Sequence, residues 1–289
     1  MVNKTLSFKS RRKTSKKTFN SDSTMNYYGY TTRIVTKEEI DSMPVLQLLE
    51  DNSNVFNKKA YYINAGGWIN NPRQLRDGVT FFGKTKETDI KGEESLFRTE
   101  SDIHKCDISL NYDEVKYSKL SYPYLFLIYY KKETKKYYLR GFLNNLTDNS
   151  FLFIKLCNKY KHQIKGTEII NFGMFFIQLI PIGTDIEIIN LTSNNNNSKY
   201  FFNKEKKRIT LGRDSLCDIV FDQAKGLSRK QCTIEYDEIK ELWTIKDGDK
   251  KKESVNGTWL LCLRSFPIFN EMIFEIVGSR IKCKFDFNQ

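Results

Sequence analysis

Four segments of the chain recur, in the same order, farther along it. "CDISL" (106–110) returns as "CDIVF" (217–221), and "LSYPYLFLIYY" from Leu120 returns as "LSRKQCTIEYD" from Leu227. "DNSFLFIKL" (148–156) returns as "VNGTWLLCL" (255–263), and "NFGMFFIQL" (171–179) as "IVGSRIKCKF" (276–285). The offsets lie between 105 and 111 residues. Self-similarity at one spacing is what a fold used twice leaves in a sequence. With 289 residues the chain has room for two domains of ordinary size. The join is expected near Pro181 to Thr184.

Each copy reads as strands. From about residue 60 onward, short runs rich in Ile, Val, Thr, Phe and Tyr alternate with Asn, Gly, Lys and Asp clusters, the pattern of a sandwich or barrel. Examples are "VTFFG" (79–83), "YLFLIYY" (124–130), "EIINFGMFFIQLI" (168–180), "RITLG" (208–212), "CTIEY" (232–236) and "RIKCKF" (280–285). "TSNNNNSK" (192–199) fits a hairpin loop between two of these strands. One helix is expected in "TKEEIDSMPVLQLLED" (36–51): Thr36 and Glu39 have capping-box spacing, Leu46, Leu48 and Leu49 supply an apolar face, and Pro44 keeps it short or kinked. The fold class is therefore mainly β, as tandem β-sandwiches. The expected division is a disordered basic tail (1–25), a lead-in with the helix (26–59), a first sandwich (60–182) and a second (184–289).

The net charge of +12 is unevenly spread: residues 1–25 carry seven Lys or Arg against one acid. Nucleic acid is thus admitted as a partner only through that tail, which also reads as a nuclear import signal. The six cysteines are scattered through apolar runs without C-x-x-C pairs, which indicates reduced, buried thiols. The run "FGMFFIQLIPIG" (172–183) is too short to span a bilayer. The two histidines have no Cys or carboxylate at ligand spacing, and no phosphate-cradling glycine loop or nucleophile elbow is present. The reading is a soluble intracellular protein, nuclear or cytoplasmic. It has no membrane, metal, cofactor or small-molecule substrate, and it is not an enzyme.

Three segments of the second copy are not explained by a sheet core: "GRDS" (212–215), "LSRKQ" (227–231) and "ESVNGT" (253–258). Each lies at a strand end, and in a sandwich such loops gather at one edge of a rigid frame. Arg213, Ser228, Arg229 and Asn256 would then converge. Two guanidinium forks, a hydroxyl and a carboxamide suit a tetrahedral dianion, because Arg stays charged and binds phosphate oxygens in bidentate fashion.

These residues resemble the forkhead-associated (FHA) domain, whose signature here reads Gly212-Arg213, Asp218-Ile219, Ser228-Arg229-Lys230-Gln231 and Asn256-Gly257-Thr258. The resemblance covers residues 184–289. It implies sandwiches of about eleven strands each and recognition of a phosphothreonine-containing protein. Arg213 and Ser228 would touch the phosphate, Arg229 would add a second cation, and Asn256 would hold the ligand main chain. Gly212, Gln231, Gly257 and Thr258 would support them. Gln231 stands where the family has His, whose role is to buttress the loops, and Val255 stands where a hydroxyl residue is common. In the first copy the equivalents are Gly83-Lys84, Ser121-Tyr122-Pro123-Tyr124 and Asn149-Ser150, with the mixed-charge insertion 84–105. That copy resembles a degenerate FHA-like repeat with a structural or protein-binding role. The alternative for the whole chain is a scaffolding protein, cytoskeletal or ciliary, without phosphate recognition.

Overall fold

A computed structural model of the chain describes residues 26–27, 30–31, 33–51, 55–57, 59–71, 76–84, 106–111, 124–142, 151–192, 198–221, 226–249 and 251–287. The basic tail, nearly all of the 84–105 insertion, Ser121 to Pro123, Asn149, Ser150 and the asparagine run 193–197 lie outside these residues. The chain is mainly β, and it divides into two compact units: residues 153–261 form one, and residues 1–152 with 262–289 form the other.

The discontinuous unit opens with a short pair, β1 (Asn26–Tyr27) and β2 (Tyr30–Thr31). The helix follows but spans only Lys37–Asp41, capped by reciprocal bonds between Thr36 and Glu39. The expected continuation to residue 51 is instead β3 (Val45–Asp51), because Pro44 ends helical bonding. Leu46 and Leu48 are buried as alternate residues of a strand, not as a helical stripe. Then come β4 (Tyr61–Asn64), β5 (Gly67–Trp68), β6 (Val79–Gly83), β7 (Ile108–Ser109), β8 (Tyr124–Lys131) and β9 (Lys136–Gly141).

Among the described residues, the continuous unit holds eleven strands. They are β10 (Phe153–Lys155), β11 (His162–Gln163), β12 (Glu168–Phe172), β13 (Phe175–Ile182), β14 (Asp185–Asn190), β15 (Lys199–Phe202), β16 (Arg208–Gly212), β17 (Ile219–Val220), β18 (Cys232–Asp237), β19 (Leu242–Asp247) and β20 (Trp259–Leu261). β21 (Phe266–Pro267), β22 (Ile273–Ile276) and β23 (Ser279–Asp286) return to the first unit. There, β23 pairs with β3 through Cys283↔Leu48, and β21 pairs with β9.

Each unit has a five-stranded sheet of the same plan. In the continuous unit the order is β11-β19-β18-β16-β17, and in the other it is β21-β9-β8-β6-β7. Both end in a parallel pair, Gly212↔Val220 and Gly83↔Ser109. The repeated Asp-Ile dipeptides do the same work in both: Asp218 accepts the Thr210 amide at 2.8 Å, and Asp107 accepts the Phe81 amide at 2.8 Å. The opposing sheet runs β15-β14-β13-β12-β20-β10 in the continuous unit. Phe221 joins the two layers there, with ring centroids 5.4 Å from Phe172 and 4.8 Å from Phe175. In the other unit, Phe126 stacks on Phe82 at 4.3 Å and meets Phe274 of β22 edge-on at 5.4 Å.

The units do not follow the boundaries expected from the repeat. Residues 181–184, read as the join, are the end of β13 and the two-residue Gly183-Thr184 turn of a hairpin in which Ile182 pairs with Asp185. So short a turn leaves no linker, and β13 must lie beside β14. The hairpin β12–β13, assigned by the repeat to the first copy, is therefore built into the continuous unit. Its counterpart β22–β23, assigned to the second copy, is built into the other. The single strand expected at 168–180 is this β12–β13 hairpin, turned at Gly173 and pinned by the Asn171 carboxamide, which donates to Gly173 and Phe175 carbonyls. None of the six cysteines is in a disulfide, and five of them are buried. Among the described residues, no helix is long and apolar enough to cross a membrane.

Candidate functional site

Three connections of the continuous unit meet at one edge, and backbone bonds bring them together first. The Arg213 amide donates to the Ser228 carbonyl at 3.2 Å and the Asp214 amide to the Arg229 carbonyl at 3.1 Å, joining the loop after β16 to the loop before β18. Gly212 permits this approach, since a Cβ there would collide with the Arg229 carbonyl. The third connection, between β19 and β20, is tied in by side chains: the Val255 amide donates to Ser228 Oγ at 2.8 Å, and Asn256 Nδ2 donates to the Gly226 carbonyl at 2.7 Å.

Beneath the loops Gln231 is fully buried and fully engaged. Its Oε1 accepts the Ser228 amide at 3.2 Å, while its Nε2 reaches Ser254 Oγ at 2.8 Å, the Gly257 carbonyl at 2.9 Å and Thr258 Oγ1 at 3.2 Å. One carboxamide thus bridges the Ser228 loop to the Asn256 loop, using both its donor and its acceptor ends. The network ends on the buried Asp247, whose carboxylate accepts Ser254 Oγ at 2.6 Å, Thr258 Oγ1 at 2.7 Å and the Ser254 amide at 2.9 Å. Gly257 turns the chain with φ near +76°, and the Trp259 indole donates to the Asn256 carbonyl at 3.0 Å.

Above this floor lies an open cleft of about 700 Å³ walled by Arg213, Ser228, Arg229 and Val255 among others. Asn256 is exposed at its edge, held through Gly226. The charges on the wall are not evenly matched. Asp214 accepts the Leu216 amide, and Asp249 accepts the Lys251 and Lys252 amides at 2.8 and 3.0 Å, bonds that hold the Asp249 carboxyl below its usual range. Glu253 faces Lys155 at 3.9 Å. The side chains of Arg213, Arg229, Lys230 and Lys252 have no ion-pair partner among the described residues, so the cleft presents free cations while its acids are engaged with their own loops. Ser228 Oγ already accepts Val255, which leaves the hydroxyl proton to donate elsewhere.

All eight residues singled out from the sequence therefore lie on or under one edge of one unit. The sequence did not reveal Asp247, an acid ending an otherwise ordinary strand, or Lys155 and the residues after it, which lie about a hundred positions upstream of the loop they brace. In the other unit Gly83 ends β6 and Lys84 follows it, as Gly212 ends β16 and Arg213 follows it; Tyr124 is buried against Phe81 and Phe142, and Ser121 to Pro123, Asn149 and Ser150 are outside the described residues.

No curated protein matches the chain. A family model does: that of the FHA domain, over residues 209–276, a stretch that contains the eight site residues and continues past the end of the continuous unit at Leu261 into β22. The segment of the chain that carries this cleft is similar to the FHA domain, over residues 209–276.

Proposed function

We propose that the chain is a phosphothreonine-dependent adaptor, binding a phosphorylated partner protein in the cleft without chemical transformation. FHA domains are phosphopeptide-binding interaction modules, and the reading assigns that role to named groups here. The observation that carries it is the pairing, on the same wall, of a Ser228 hydroxyl whose oxygen already accepts the Val255 amide with an Arg213 guanidinium that has no ion-pair partner among the described residues. A phosphate dianion offers oxygens to both, and charge-assisted bonds of this kind are roughly twice as strong as neutral ones. Arg229 adds a second cation, and Asn256 has its carboxamide oxygen available for the ligand main chain. Val255 is exposed on the wall beside Ser228 and gives the threonine methyl an apolar contact. A buried methyl is worth about 0.8 kcal/mol, so phosphothreonine should bind about four-fold more tightly than phosphoserine.

Charged hydrogen bonds of about 1.5–3 kcal/mol each, with main-chain contacts, give a micromolar ligand of about 8 kcal/mol. The test is a degenerate phosphothreonine peptide library passed over the full chain and over Arg213→Ala. Retention of phosphorylated peptides by the native chain alone is the expected result. Equal retention of phosphorylated and unphosphorylated peptides by the native chain would remove the proposal.

A further inference from the structure

The loop that carries Val255 and Asn256 is braced from its flank by a stretch that the sequence repeat places in the other copy. The Leu156 amide donates to the Thr258 carbonyl at 2.8 Å, and the Asp247 amide donates to the Cys157 carbonyl at 3.4 Å, so residues 156 and 157 fix both ends of the loop. The middle is held as well: the Asn158 amide reaches Glu253 Oε1 at 3.4 Å, and Lys155 Nζ lies 3.9 Å from Glu253 Oε2. Lys155 does more than pair. A Cβ added to Gly257 would fall 2.9 Å from Lys155 Cε and 3.5 Å from its Cγ, so the carbon stem of the lysine lies directly against the Asn256-Gly257 turn. Its strand partner is Trp259, the residue whose indole holds the Asn256 carbonyl.

We infer that Lys155 is a positioning residue for ligand binding, its carbon stem packing on Gly257 to fix the Asn256 turn that the phosphopeptide main chain would meet. The inference rests on the phosphopeptide reading for its ligand, but not for its geometry. The stem rather than the ammonium carries the role. A half-exposed ion pair at 3.9 Å contributes little in water, whereas long cationic side chains cover apolar surface and main chain with their methylenes. A stretch that the sequence repeat assigns to the first copy, residues 155–158, is thus part of the unit that holds the cleft and braces its Asn256 loop.

The experiment uses the full chain with Lys155→Ala and Lys155→Met, a phosphothreonine peptide selected from the library, and amide exchange followed by NMR. Lys155→Ala should raise Kd about five-fold, while Lys155→Met, which keeps the stem and drops the charge, should stay within about two-fold of the native chain. Exchange at Val255 and Asn256 should accelerate in Lys155→Ala, with the core amides of Ile234 and Ile245 unchanged. Unaltered Kd and unaltered exchange in Lys155→Ala would overturn the inference, as would Lys155→Met failing as badly as Lys155→Ala. If the native chain binds no phosphopeptide, the functional reading falls by itself, and exchange at Val255 and Asn256 still decides whether Lys155 positions the turn.

Discussion

The Gln231 carboxamide donates to the Gly257 carbonyl at 2.9 Å from a fully buried position. That bond, with the one from the Ser228 amide to Gln231 Oε1, makes a single side chain the strut between the two loops that line the cleft. Replacing it with Leu removes both ends of the strut and leaves Ser254 and Thr258 short of a partner in a dry site. A buried polar group left unsatisfied costs about 1–3 kcal/mol. Gln231→Leu should therefore lower unfolding stability by that amount in urea and also weaken phosphopeptide binding. Gln231→His restores a donor and an acceptor at similar reach and should recover most of the binding. Equal Kd values for the Leu and native proteins would show that the strut is dispensable.

Arg213 contributes through shape as well as charge. Its guanidinium is unengaged among the described residues, and its own amide is used to hold the loop, so substitution spares the backbone bonds. Loss of a charge-assisted contact predicts that Arg213→Ala raises Kd for the selected peptide by about ten-fold or more. Arg213→Lys keeps a point charge but no fork and should fall between the two. Calorimetric titration of the three proteins checks the order; a Lys variant indistinguishable from native would deny a bidentate contact.

Much of the site was readable because its residues are punctuation. Gly212-Arg213, Ser228 and Asn256-Gly257 sit where strands end, and turn chemistry and charge stand out against an alternating apolar pattern. The core strands were readable for the same reason, as in β16, whose Ile209 and Leu211 are buried. The helix is overextended from the sequence because Leu46, Leu48 and Leu49 fit either period, and the pairing of β3 with β23 and β4, past Pro44, decides for a strand. The exchange of hairpins was hidden for a deeper reason. β12–β13 and β22–β23 hold matching places in the repeat, so the sequence pattern alone does not say which unit each completes. The choice is made by the Gly183-Thr184 turn, where Gly183 takes φ near +61°, a local feature read as a boundary.

The bound ligand should make the interaction pH-dependent with a definite sign. A phosphothreonine ester loses its second proton with a pKa of about 6, and the cleft's guanidiniums favour the dianion. Binding should be strongest above that value and should weaken as pH falls below about 6, as the monoanion replaces the dianion. Competition measurements from pH 5 to 8 with Arg213→Ala as control test this, and a flat profile would argue against a dianion in the socket.

The other unit has its own acid-sensitive contact. Arg33 grips Glu39 with two bonds of 2.6 and 2.8 Å at the start of the helix, and this holds the Glu39 carboxyl at about 2, from an ordinary 4.5. A carboxylate with a depressed folded-state pKa contributes stability in full above the unfolded value and loses it as the pH falls through the folded one. The pH-dependent part of the stability difference between the native chain and Glu39→Gln should therefore be constant above about 4.5 and vanish on approach to about 2. Urea unfolding across that window is the measurement, and a difference that persists unchanged at the acid end would contradict the assignment.

The exchange of hairpins predicts which fragments can fold. Residues 184–289 contain the whole stretch matched by the FHA domain model, yet they lack β10 to β13. Four of the eleven strands of the continuous unit would be missing, including β13, whose register with β14 runs from Ile177↔Asn190 to Ile182↔Asp185. The inward face formed by Ile186 and Ile188 would be exposed, along with a long unpaired strand edge. Residues 153–261 keep all eleven strands, both sheets, and the bracing at Lys155 and Leu156. The shorter-reaching fragment 153–261 should therefore unfold cooperatively and bind the phosphopeptide with nearly the affinity of the full chain. Fragment 184–289 should be insoluble or unfolded by circular dichroism. If instead 184–289 gave a cooperative transition and native-like binding, β22–β23 would be able to replace β12–β13, and the strand pairing described for the two units would not be the one that governs folding.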